Sequence, residues 1–318
     1  MISIIIPSHN SEKTIRDSIV SLLKQNYKGR YEIIVVDSSK DKTADIVSQY
    51  PVILIKQKPK GPAAARNLGV NKSKGSIIVF IDSDCIAPKN WLKNLLKPLS
   101  NKKVVAVAGT YRTKNKESLI ARFVGYEIEQ RHEKMKKFKN IDFVATYNCA
   151  YRKKIFINLG GFNEKLTQAE DADLSFRTAE KSFKIRYQPS AYVYHYHPDS
   201  LTKYLKQKFW RGYWKVFLYS RHKQKFLGDT YTPKSLLPQI LSFFLFSIFL
   251  ISSLFSSVYI IPSIIFLILM YVLNTRLFMF LWEKEKTMAI ISIVIIFLRN
   301  LIASIGIGIG AIDLLKKR

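Results

Sequence analysis

Asp82-Ser83-Asp84 stands directly behind the apolar run 77–81, so two carboxylates alternate along extended backbone. A hard divalent cation takes oxygen ligands and leaves part of its shell to water and substrate phosphates, so one or two acids in such a place suffice to seat it. The competing reading is a polar strand end, or a helix cap ahead of Pro88. A second acidic group, Glu170-Asp171-Ala172-Asp173, follows Gly160-Gly161-Phe162. Acids in the first turn of a helix are ordinary dipole partners; equally, one of them is suited to take a proton from an attacking hydroxyl. Val193-Tyr194-His195-Tyr196-His197 sets two imidazoles on one side of an extended segment, where either completes a metal shell or serves structure alone. Asp37, behind the run 32–36 and followed by Ser38, Ser39 and Asp41, is a turn residue or an acceptor for a ribose or base.

These residues need a scaffold, and the chain supplies its rhythm. Short apolar runs at 2–6, 32–36, 52–55, 77–81 and 104–108 alternate with amphipathic stretches of helical length such as 11–25 and 63–71. That alternation predicts an α/β domain, a parallel sheet with helices on both faces. Ligands in such sheets sit beyond the carboxyl ends of the strands, which is where the acids stand. After the first run comes Pro7-Ser8-His9-Asn10-Ser11-Glu12, without the glycine pattern that brings a dinucleotide pyrophosphate to a helix N-terminus. A hydride-transfer dehydrogenase is excluded on that ground.

The 318 residues carry 51 Lys and Arg against 23 Asp and Glu, a formal charge of +28, yet 48% are hydrophobic and 13% aromatic. The chain therefore folds, and its partners are polyanions: nucleic acid, anionic headgroups or phosphorylated small molecules. Cys85 and Cys149 are too few for a disulfide framework and fit a reducing compartment.

The 41 residues from 235 to 275 hold no charge, a length that suits two membrane spans, expected at 236–255 and 258–281. A third apolar segment, 287–312, is interrupted by Arg299 and carries Gly306, Gly308 and Gly310. It either spans with Arg299 facing protein or water, or lies at the interface. The basic end, Lys316, Lys317 and Arg318, favours the cytoplasmic side and tips the expectation toward the interface. Between 201 and 225 lie eight basic residues and no acid, interleaved with Tyr204, Phe209, Trp210, Tyr213, Trp214 and Phe217. That pattern predicts an amphipathic helix at 200–225 lying on an anionic membrane, with the large N-terminal part cytoplasmic. The expected organisation is a catalytic domain at 1–225, a linker at 226–235 and a multi-pass membrane domain at 236–318. Met1 leads straight into an apolar strand, so no cleavable leader is expected.

The strings SIIIPSHNSEKTI, IIVVDSSKDKT, GPAAARNLGVNKSKGSIIVFIDSDC, TYNCAYRKKIF, LGGFNEKL and EDADLSFR occur in this order. Together they resemble a family-2 glycosyltransferase of the GT-A fold over about residues 1–225. The resemblance implies a Rossmann-like mixed sheet. It places Pro7, Glu12, Asp37, Arg66, Asp82 and Ser83 around a nucleotide-diphosphate sugar carrying UDP or GDP, and makes Asp84 the direct ligand of Mn2+ or Mg2+. Within it His195, with His197 as alternate, is a metal ligand, and Asp171 is the general base with Glu170 its neighbour. Displacement of the departing diphosphate by a hydroxyl from the opposite face inverts the anomeric centre. The Q-x-x-R-W signature of processive synthases is absent, because Gln207-Lys208-Phe209-Trp210-Arg211 transposes its last two residues; a single sugar is the expected cargo. The acidic pair points to a hydroxyl on a lipid-linked glycan or glycolipid, with polyprenyl phosphate as the alternative acceptor. A membrane-tethered polyanion-binding protein is the non-enzymatic alternative. It leaves the strand-end acids without a role, and acids in a nucleic-acid groove repel phosphate.

Overall fold

The computed structural model describes residues 1–316; Lys317 and Arg318, two of the three basic residues at the chain end, lie outside the described residues. The chain divides into two compact units, Met1–Lys114 with His132–Tyr196, and Asn115–Arg131 with the chain from His197 onward. The expected boundary at residue 225 therefore falls inside the second unit, which takes the expected interfacial helix with it.

The first unit is built on an eight-stranded sheet: β1 Ile2–Ser8, β2 Tyr31–Asp37, β3 Ile53–Lys56, β4 Ile77–Ile81, β5 Cys85–Ile86, β6 Val104–Thr113, β7 Asn148–Arg152 and β8 Lys184–His195. Their order is β3-β2-β1-β4-β7-β6-β8-β5. The first four strands are parallel, as the alternation predicts. The fifth predicted run does not join them directly, because β7 lies antiparallel between β4 and β6 and makes the sheet mixed. A polar Asn148 and Arg152 at its ends hide β7 from an apolar-run search.

Period-2 alternation sends the strand residues to two faces. Ile4, Ile6, Val35, Val79 and Ile81 pack with Ile15, Ile19 and Leu22 of α1 (Ile15–Leu23) and with Trp91, Leu92 and Leu95. Ile34 and Val36 face the other way, against Ala65 of a helix at Pro62–Lys72, α2 here. That helix lies close to β1 because of Gly69, where an added Cβ would stand 2.5 Å from Ile5 Cγ2. Asn148, fully buried, accepts from the Trp91 indole (2.8 Å) and donates to the Thr110 and Ala191 carbonyls (2.7 and 2.8 Å). A polar side chain with its partners all present in a core fixes the register of the strands around it.

The second unit is helical: α3 (Leu119–Met135, of which residues to 131 belong here), α4 (Leu201–Arg221), α5 (Leu236–Ser252), α6 (Ile260–Val272), α7 (Thr275–Lys284) and α8 (Lys286–Lys316). Helix α4 does not lie free on one side. Its Gly212 faces the Ala303 carbonyl of α8 at 2.5 Å from a built Cβ, while Gly310 of α8 faces the Tyr213 carbonyl at 2.7 Å and Gly306 meets that of Phe209.

The helices expected to cross a membrane differ from expectation in length and continuity. Among the described residues, the 31-residue α8 is the one single helix long and apolar enough to cross a membrane, about 46 Å at 1.5 Å per residue. This is the segment expected to lie at the interface. The expected first span forms a 17-residue helix, and the expected second is bent by 50° between α6 and α7, so the two continuous spans are not what forms. The bend has a local cause: the Asn274 side chain donates to the Met270 carbonyl (2.8 Å) at the end of α6. Arg299, in mid-α8, is 6% exposed and faces protein: its guanidinium donates to Glu127 (2.7 Å), Gln239 and Asn274 (3.1 Å each).

Candidate active site

The register of one short pairing creates the first half of the site. Cys85 lies opposite His195 on antiparallel β5 and β8, and the Tyr196 amide donates to the Asp84 carbonyl (3.2 Å). The Asp84 carboxylate and His195 Nε2 are consequently 3.4 Å apart. Asp84, Cys85 and His195 form the group whose ligand atoms lie within 4.8 Å of one another. Burial raises the Asp84 carboxyl, opposed by His195 and reinforced by Asp82. The Cys85 thiol is pushed far up by burial and then by Asp84, which makes it a poor thiolate ligand and leaves an oxygen and an imidazole nitrogen as the donors. Such a pair fits a hard or borderline divalent cation with substrate oxygens in the remaining positions. Tyr111 stacks on the His195 ring with centroids 5.0 Å apart, and Tyr147 packs on Tyr111 at 3.9 Å. His197 is not in this group. It belongs to the second unit, buried against Asn115, with which it exchanges two backbone-to-side-chain hydrogen bonds (2.8 and 3.0 Å).

The second half is joined to the first by Arg66. This residue is 4% exposed and donates from one terminal nitrogen to Asp82 and from the other to Glu170, each at 2.7 Å. Both of its terminal nitrogens are thus engaged by carboxylates, and Arg66 ties the Asp-Ser-Asp motif to Glu170. Burial opposes its charge, but Asp82 and Glu170 outweigh that and raise its pKa. Glu170 is itself pushed up to about 7 by burial and by Asp171, against the pull of Arg66.

Asn67, next along α2, escaped the sequence reading. It accepts from the Phe162 amide and donates to the Phe162 carbonyl, both at 2.9 Å, which pins the Gly160-Gly161-Phe162 loop to the same helix that carries Arg66. A small polar side chain beside the arginine was the available signal. Two further carboxylate roles separate here. Asp173 is buried and held by Arg177 (2.8 Å), a structural pair. Asp171 is half-buried at the start of the helix Glu170–Glu180, and its Oδ1 accepts from the Ala172 amide at 2.7 Å. Ala169 just before it holds φ 69°, a left-handed conformation that a non-glycine residue adopts at a cost of roughly 1–2 kcal/mol and that often marks a functional turn.

The residues expected on the nucleotide side stand at or just beyond the ends of β1, β2 and β4. Ser8 pairs with Asp37 in the register, which sets Pro7 and Asp37 on neighbouring strands. Asp37 is buried and accepts from the Ser39 hydroxyl (2.6 Å). Glu12 is exposed and accepts from the Lys42 amide (3.3 Å), while the Ser83 and Ser11 hydroxyls lie 2.8 Å apart. Ser83 thus ties the Asp-Ser-Asp turn to the loop that follows β1.

Residues 3–160 match the model of the family described as Glycosyl transferase family 2. The chain belongs to glycosyltransferase family 2. Among curated relatives of this family-2 glycosyltransferase, the probable glycosyltransferase YdaM of Bacillus subtilis is 32% identical over 225 residues, 65% of this chain and 53% of that protein. A UDP-Glc:alpha-D-GlcNAc-diphosphoundecaprenol beta-1,3-glucosyltransferase, WfgD of Escherichia coli, is 34% identical over 128 residues, 39% of this chain and 51% of that one. The chain spans about half the length of these relatives. Among solved structures, a mannosyltransferase of Pyrobaculum calidifontis in complex with GDP-Man and Mn2+ superposes with a TM-score of 0.63 at 17% identity, over 95% of this chain and 86% of that one. The likeness shows a shared GT-A α/β fold.

Proposed function

We propose that this chain transfers a single sugar from a nucleotide-diphosphate sugar, UDP- or GDP-linked, to a hydroxyl of a lipid-linked glycan or glycolipid at the cytoplasmic face of a membrane, with inversion at the anomeric carbon. One observation carries the reading: Asp84 meets His195 at one end of the sheet while Arg66 clamps Asp82 to Glu170, so both acidic motifs belong to one first-unit site. Asp84 and His195 are the residues that would hold Mn2+ or Mg2+, and the bound cation supplies charge neutralisation for a departing diphosphate. The side chains do the rest. Pro7, Glu12, Asp37 and Ser83, at the strand ends, orient the nucleotide. Arg66 keeps Glu170 in place, and Asp171, half-buried beside it, accepts the proton of the attacking hydroxyl. The name of the WfgD relative, which acts on a diphosphoundecaprenol-linked sugar, and the apolar α8 support a lipid-borne acceptor.

A panel of nucleotide sugars tested for Mn2+-dependent hydrolysis, followed by lipid extracts as acceptors, tests this reading. Efficient turnover with undecaprenyl phosphate that survives Asp171→Asn would overturn the hydroxyl acceptor, because a phosphate oxygen is already ionised and needs no base. Metal-independent nucleotide binding, unchanged in Asp84→Ala, would sink the catalytic reading in favour of simple polyanion binding.

A further inference from the structure

A chain of contacts within the first unit leads from a buried histidine to the cation centre. His132, 4% exposed, lies near the end of α3, and both of its ring nitrogens are partnered: Nδ1 stands 2.7 Å from the Thr110 hydroxyl and Nε2 3.1 Å from the Tyr147 hydroxyl. Either neutral tautomer satisfies both bonds, because each hydroxyl can donate or accept. The Tyr187 ring stacks on His132 with centroids 5.7 Å apart, and the Thr110 carbonyl accepts from Asn148 at 2.7 Å, so the far end of the chain is fixed as well. Tyr147 packs its ring on Tyr111 at 3.9 Å, and Tyr111 stacks on His195 at 5.0 Å with 22° between the planes. That last contact follows from the register. On parallel β6 and β8 Tyr111 pairs with Val193 and Thr113 with His195, which makes Tyr111 the diagonal neighbour of His195 on one face of the sheet.

The Nε2 lone pair of an imidazole lies in the plane of its ring, so the tilt of the His195 ring decides whether Nε2 points at a cation beside Asp84. The Tyr111 stack sets that tilt. Packing alone asks for an apolar side chain at position 132; a buried imidazole with both nitrogens bonded holds its neighbours in one arrangement instead. We infer that His132 is a positioning residue for the cation centre: by fixing the Tyr147 hydroxyl it sets, through the Tyr111 ring, the plane in which His195 meets the cation. The inference rests on the reading of His195 as a ligand and deepens it by naming what orients that ligand.

The full-length protein is titrated with Mn2+ and read by electron paramagnetic resonance, with the electron spin echo of the bound ion reporting its imidazole nitrogen. Tyr147→Phe takes away one hydroxyl and keeps the ring, so it carries the test even if His132→Leu, which takes away both bonds, does not fold. Each variant is expected to weaken Mn2+ binding by about tenfold, the lower end of what an outer supporting partner costs, and to alter the nitrogen modulation. The double variant should lose no more than His132→Leu alone, since both changes break the same link. His132→Gln, whose amide nitrogen stands in for Nε2, should recover most of the affinity. In nucleotide-sugar hydrolysis the Mn2+ requirement should rise in Tyr147→Phe while kcat at saturating Mn2+ holds. Unchanged Mn2+ affinity and modulation in Tyr147→Phe and His132→Leu, with His195→Ala abolishing the modulation, overturns the positioning role and leaves the ligand reading standing. An unchanged signal in His195→Ala removes the ligand reading, and the positioning role with it. Equal losses in His132→Gln and His132→Leu, accompanied by a collapse of the near-ultraviolet circular dichroism, overturn the proposal in favour of a core residue only.

Discussion

Asp82 and Glu170 accept hydrogen bonds from the two terminal nitrogens of one guanidinium, that of Arg66, each at 2.7 Å. A strand end and a helix start from distant parts of the chain are thus held at a fixed separation by a side chain that is 4% exposed. The pair that is expected to serve chemistry is also part of the fold.

Arg66→Ala is therefore expected to destabilise the first unit by about 3 kcal/mol or more, because it leaves Glu170 buried without its counter-charge. Arg66→Lys, with one ammonium for two carboxylates, falls between. Denaturant midpoints decide; an Arg66→Ala protein as stable as the parent contradicts the clamp.

Asp84→Asn should weaken Mn2+ binding by more than the roughly 10- to 100-fold that loss of a supporting partner costs. His195→Ala should do likewise, while His197→Ala, buried against Asn115 in the other unit, should leave Mn2+ affinity unchanged. Electron paramagnetic resonance of bound Mn2+ reads all three.

Asp171→Asn is expected to lower kcat by about 10²- to 10⁴-fold with little change in donor KM, the pattern of a lost general base. A comparable loss in donor affinity would place Asp171 in donor binding instead.

Glu127 gives the second unit a pH dependence. Burial works against its carboxylate, but Lys208, Arg299 and Arg131 outweigh it and hold the carboxyl below its ordinary value of 4.5. The folded state then binds fewer protons than the unfolded state, so the stabilisation is present in full above about 4.5 and is lost progressively as pH falls below it. Glu127→Gln should lower Tm at pH 7 and flatten its decline between pH 5 and about 3. Equal slopes for variant and parent would disprove the linkage.

The glycines of α8 supply a comparison with its own control. A Cβ at Gly306 runs into the Phe209 carbonyl and one at Gly310 stands 2.7 Å from that of Tyr213, whereas Gly308 has nothing within 4 Å. Gly306→Ala and Gly310→Ala should each cost about 1–3 kcal/mol as the helices separate. Gly308→Ala should be neutral or stabilising, alanine being the better helix former by about 1 kcal/mol. Thermal unfolding of the three variants in detergent ranks them.

The acids at the strand ends could be read from the chain because a short apolar run followed by Asp-Ser-Asp has few other uses, and the parallel half of the sheet could be read from its alternation. Strand β7 could not, because its two polar ends are satisfied by tertiary partners that no local pattern reveals; Asn148 needs Trp91, Thr110 and Ala191. The clamp that Arg66 forms could not be read either, since it depends on Asp82 and Glu170 arriving from elsewhere. For Arg299 the chain leaves two readings open, and facing protein is the one realised; choosing between them needs Glu127, which lies far away in the sequence.

Main chain touches main chain where α4 crosses α8, with no side chain between to act as a cushion. A seam of that kind does not yield by degrees, so the two rods travel as one body. Any displacement of the longer rod along its axis therefore carries the basic and aromatic side chains of the shorter one with it.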